Sequence, residues 1–130
     1  MASANLINSG KSLTTDNESI VIVDNFQSIR GGRTLDVTGF TPEVIPAGHI
    51  VIEETSTGEY KPMPVSADAY GALPVGHTYA GVVVANALTA KPMVGIMVRG
   101  TVNPAASAYT ISSILTAVKA ALPLIDFRED

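Results

Sequence analysis

Gly10-Lys11-Ser12 has the composition with which a phosphate-binding loop ends, where backbone N–H groups and a lysine cradle phosphate oxygens. That motif needs a glycine five residues before Gly10, where Asn5 stands, and a strand leading into it, which is missing. His49 and His77 are the only histidines, and the chain has no cysteine. A metal centre needs several convergent ligands, and neither histidine has a second ligand at strand or helix spacing. Each sits directly after a glycine, Gly48 and Gly76, and reads as a local hydrogen-bonding residue. Glu53 and Glu54 supply two carboxylates, but neighbours on a strand point to opposite faces and cannot share one acid–base site. No Gly-x-Ser-x-Gly elbow occurs, and Asn17-Glu18-Ser19 fits the N-glycosylation pattern without a secretory leader to make it meaningful. The expectation is therefore no enzyme: no catalytic residue, no cofactor and no metal.

The composition points to binding by surface instead. The chain has 130 residues, a length for one domain with a real core. Only 15% of residues are charged, against a typical share of about 25%, and aromatics are 5%. The core must come from Val, Ile, Leu and Ala, and a surface this poor in charge is expected to be covered by partners. A net charge of −4 and a pI near 5.0 argue against nucleic acid, whose binding needs clustered Lys and Arg. No run approaches the roughly 18 apolar residues of a membrane span, and the first residues lack the basic-then-apolar pattern of a signal peptide.

The elements that must shape such a surface follow from periodicity. Residues 1–18 are rich in Ser, Thr and Asn, with Leu6, Ile7 and Leu13 as isolated apolar residues, and read as a flexible arm ordered by a partner. Residues 19–130 read as one domain. Ser19–Asp24, Thr34–Thr38 and His49–Glu54 are predicted strands, and Thr57-Gly58 turns the last into a hairpin whose second limb, with Pro62 and Pro64, must lie at an edge. The stretch Tyr79–Val102 holds two β-branched runs, Val82–Val84 and Val94–Val98. In the second, alternation places Val94, Ile96, Val98 and Val102 on one face, as core. Met93, Met97 and Arg99 fall on the other, and are the expected subunit contacts. A single helix is predicted from Ile111 to Leu122, capped by Thr110 and stopped by Pro123, with a terminal strand at Leu124–Phe127. With no repeated strand–helix–strand alternation, the fold expected is mainly β or α+β: a small antiparallel, barrel-like domain with one C-terminal helix.

The order of features has a further meaning. Arg33-Thr34-Leu35-Asp36-Val37, Ile45-Pro46-Ala47-Gly48-His49-Ile50-Val51-Ile52, Gly58-Glu59-Tyr60-Lys61-Pro62, Tyr79-Ala80-Gly81-Val82-Val83, Val94 to Val102 and Leu122-Pro123-Leu124-Ile125 form a series of short glycine-punctuated strands with a late helix. This series resembles the head-decoration proteins of tailed bacteriophages, both the lambda-type capsid-stabilising proteins and the auxiliary capsid proteins of phages infecting gut Bacteroidetes. It covers about Arg33 to Phe127 and does not extend into the arm. The resemblance implies a β-rich domain that forms a homotrimer on the outer surface of an icosahedral shell, made in the host cytoplasm and carried on the virion. The implied partner is the major capsid protein, met by the arm, and the arm's isolated apolar residues Leu6, Ile7 and Leu13 are the expected contacts. The alternatives are a head-fibre base or tail-associated virion protein, or a small non-viral oligomeric binding module.

Overall fold

A computed structural model describes residues 18–129. Its centre is a six-stranded sheet. The first seven strands are β1 (Ile22–Ser28), β2 (Arg33–Thr34), β3 (Val44–Ile45), β4 (Ile50–Glu54), β5 (Tyr60–Pro62), β6 (Val65–Ser66) and β7 (Ala69–Tyr70). Then come β8 (His77–Val83), β9 (Ala87–Leu88), β10 (Met93–Val94), β11 (Ile96–Val102) and, after the helix, β12 (Ile125–Phe127). The sheet runs in the order β1-β11-β8-β4-β5, with β12 added in parallel beside the far end of β11. All other pairs are antiparallel, so the chain is the small β-rich domain with a late helix that the sequence predicts. β1 and β5 are the two outer edges. Three two-stranded ladders, β10 with β2, β3 with β9 and β6 with β7, fold the long connections against it.

The central strands are apolar at consecutive positions because both faces of the sheet are covered, a pattern usual for buried strands. On one face Ile50, Ile52, Val82, Met97 and Val102 pack with Val118, Leu122, Ile125 and Phe127 from the C-terminal segment. On the other, Val51, Val83 and Ile96 pack with Leu35, Ile45 and Val94. The helix therefore closes one core and the loops around β2, β3 and β10 close the other.

Several boundaries differ from the sequence expectation. The first predicted strand begins as a helical turn, α1 (Glu18–Val21), before β1 starts at Ile22. Val21 is buried and its side chain lies where Gly48 would carry a Cβ, so that glycine, at φ +86°, fits both the turn and the close approach. Thr34–Thr38 shortens to β2, because the backbone N–H of Leu35 turns to Pro92 and that of Asp36 to the carbonyl of Tyr60. The helix, α2 (Leu115–Ala121), starts at Leu115, with Ile114 at its cap position and no side-chain cap. Thr110 is not the cap: its backbone joins Asp68 and Tyr70 across the β6–β7 loop, drawing the chain away from helical geometry.

Candidate interaction surface

The residues with chemical potential are dispersed. His49 is wholly buried. Its Nε2–H donates to the carbonyl of Met63 at 2.9 Å, and its ring makes edge contacts with Phe40, Tyr70 and Tyr109 at 5.3, 5.1 and 5.5 Å. Burial pulls its pKa down to about 4, only partly opposed by the bond to Met63, so the ring is neutral and serves the core. His77 is elsewhere, its Nδ1–H donating to the Val75 carbonyl at 3.1 Å. Tyr70 spends its hydroxyl on the backbone N–H of Ile50 at 3.1 Å, and burial pushes its pKa upward. Glu54 joins a half-buried cluster in which Lys61 Nζ lies 3.7 Å from both Glu54 Oε2 and Asp36 Oδ2. The hydroxyl and backbone N–H of Thr38, followed by Lys61, hold the Asp36 carboxyl below the usual range. Among the described residues no group of three or more His, Cys, Asp or Glu is placed to hold a metal ion. None of their helices is long and apolar enough to cross a membrane.

The predicted subunit contacts separate. Met93 is exposed, as a surface residue should be. Arg99 is also exposed. Met97 is not: it is fully buried in the helix-side core, so no partner can touch it, and its assignment to an interface is corrected. The error has a physical origin. Strict alternation assumes one buried face, but here both faces are buried. The alternation also breaks at Val98, the extra residue of β11 between Met97 and Arg99, which brings Val102 into the same core as Met97. Val98 stays half-buried. Leu6, Ile7 and Leu13 lie outside the described residues.

The surface that replaces Met97 is β1, of which the sequence predicts as strand only the part up to Asp24. Its inner neighbour is β11; on its outer side no strand of the described residues pairs with it. Residues 23–27 are all exposed. The ladder pairs Ile22 with Val102, Asp24 with Thr101, Asn25 with Gly100 and Gln27 with Arg99, which leaves Val23 and Phe26 as extra residues at two bulges. Those are the residues that project: Phe26 is 68% exposed and Val23 44%, with Ile20 at 51% one turn earlier. The guanidinium of Arg99 sits over the Phe26 ring at 4.7 Å, within cation–π range. No carboxylate of the described residues is recorded as its ion-pair partner. Three apolar side chains at intervals of three residues beside an arginine make an aromatic–arginine patch of the kind that dominates protein interfaces. The signal available in the sequence was the three-residue spacing of Ile20, Val23 and Phe26, which fits neither a strand nor an undistorted ladder.

On the opposite edge lies a groove of about 270 Å3. Its apolar walls are Phe40, Pro42, Pro62, Pro64 and Pro74, and Asp36 and Lys61 stand at its margin. Strand addition is blocked there, because the N–H of Asp36 already takes the carbonyl of Tyr60 at 2.9 Å. No family model, curated protein or solved structure matches the chain.

Proposed function

We propose that this is a structural virion protein that binds the outer surface of an icosahedral phage capsid as a homotrimer and stabilises the shell. The observation that carries the reading is the ordered series of glycine-punctuated strands from Arg33 to Phe127 ending in a late helix, which resembles the head-decoration proteins. The apolar ridge on β1 and the charge-poor composition support it, since both call for covering partners.

The mechanism is binding without chemistry. A trimer that touches several capsid subunits gains by effective concentration, so individually weak contacts give tight attachment. Because it binds the assembled lattice and not separate subunits, it favours the closed shell by mass action. The arm supplies contacts to the major capsid protein through Leu6, Ile7 and Leu13, while the folded domain supplies the trimer.

Co-sedimentation of the purified protein with mature capsids tests this. Saturable binding that weakens on deletion of residues 2–18 is expected. Absence of binding by the full chain overturns the capsid reading, and undiminished binding by the truncated chain overturns the role of the arm.

A further inference from the structure

The Phe26 ridge and the proline-walled groove occupy opposite edges of one sheet, and they complement one another. The ridge offers a projecting phenyl ring with an arginine stacked on it. The groove offers apolar walls lined also by Asp36 and Lys61, and Glu54, outside the lining, lies 3.7 Å from the same Lys61 ammonium, so the two carboxylates and one ammonium carry a net charge of −1. A cavity of about 150 Å3 is enough for benzene. At about 270 Å3 the groove can take a phenyl ring and the chain beside it.

We infer that the ridge of one copy of this chain docks into the groove of the next: Phe26 enters between the proline walls and Arg99 meets the carboxylates at the margin. The occupant is a second copy because charge and shape complement each other within one molecule. The two bulges also make β1 irregular in place of a flat, pairable strand, which disfavours its adding to another β1. A contact between different patches is head-to-tail, and it closes into a ring when the rotation per step permits. The inference rests on the self-association in the reading above, and not on the capsid.

The absence of cysteine makes the contact directly testable by cross-linking. Phe26 and Thr41, the latter in the groove, are both exposed, so each tolerates replacement without disturbing the core. Under mild oxidation Phe26→Cys/Thr41→Cys is expected to give covalent multimers ending at the native oligomer, while each single variant gives none. Phe26→Asp is expected to raise the concentration of half-dissociation on the order of tenfold or more, with an unchanged circular dichroism spectrum. A native protein that stays monomeric overturns the inference. So does cross-linking of Phe26→Cys alone, which would place two β1 edges together. An oligomer in which the double variant does not cross-link overturns this contact and leaves self-association standing. Capsid co-sedimentation, scored separately, fails only if the capsid reading fails.

Discussion

Ile96 and Met97 are consecutive residues of β11, both fully buried, and they belong to two different cores. Ile96 faces Leu35, Ile45 and Val51, and Met97 faces Val118, Ile125 and the helix side. The strand is thus a partition and not a surface. Met97→Ala is expected to cost about 2–5 kcal/mol, the range for truncating a buried methionine. Met97→Asp is expected to prevent folding, because an unpaired carboxylate would be forced into an apolar core. Urea denaturation of both variants checks this, and a folded Met97→Asp protein that merely loses self-association would contradict it.

Gly100 lies under the chain of β1: a Cβ there would run into the carbonyl of Asp24 and the sulfur of Met97. That carbonyl is backbone and cannot swing aside. Gly100→Ala is expected to destabilise the fold by roughly 1–3 kcal/mol and to loosen β1 from β11. Hydrogen exchange should report faster exchange in residues 22–28 than elsewhere. Uniform exchange would show that the register shift is not held by this glycine.

His49 makes the fold sensitive to acid. Its folded pKa of about 4 is below the ordinary 6.5, so the unfolded chain binds the extra proton. The associated stability is complete above about pH 6.5 and is lost as pH falls toward 4, by about 3 kcal/mol in total. Thermal unfolding at constant ionic strength over this window should show the decline, and His49→Gln, which keeps a donor for Met63, should flatten it. A wild-type midpoint that does not move between these pH values would refute the assignment.

Thr110 tests the start of the helix. An N-cap threonine replaced by alanine costs about 1 kcal/mol. Here Thr110 contributes its backbone and stands outside α2, so Thr110→Ala is expected to stay within about 0.5 kcal/mol of the parent. Chemical denaturation separates the two values.

These cases mark where the sequence was legible. The β-branched runs at Ile50–Ile52, Val82–Val83 and Val94–Val98 announce strands because their side chains suit a pleated, packed sheet whatever their neighbours are. The hairpin at Thr57-Gly58 is legible for a local reason too, since only a short turn joins β4 to β5. Pro62 correctly marks an edge, because a missing N–H cannot serve a central ladder. Pro123 likewise ends α2 near Leu122.

What local chemistry determines by itself is therefore the kind of element and its punctuation: strands, turns, an edge and a late helix in a cysteine-free, charge-poor chain. The tertiary structure alone decided which faces are buried and how strands register. Burial depends on what covers each face, and β11 is covered twice because the helix on one side and Leu35 and Ile45 beside β2 and β3 on the other arrive from other parts of the chain. The bulges at Val23 and Phe26 arise from the meeting of two strands some seventy residues apart, with Gly100 pressed against Asp24. No single stretch contains that contact. For that reason Met97, apolar and alternating, looked like surface, while Phe26, between Asn25 and Gln27 and outside every predicted strand, gave no sign of the exposed ridge it forms.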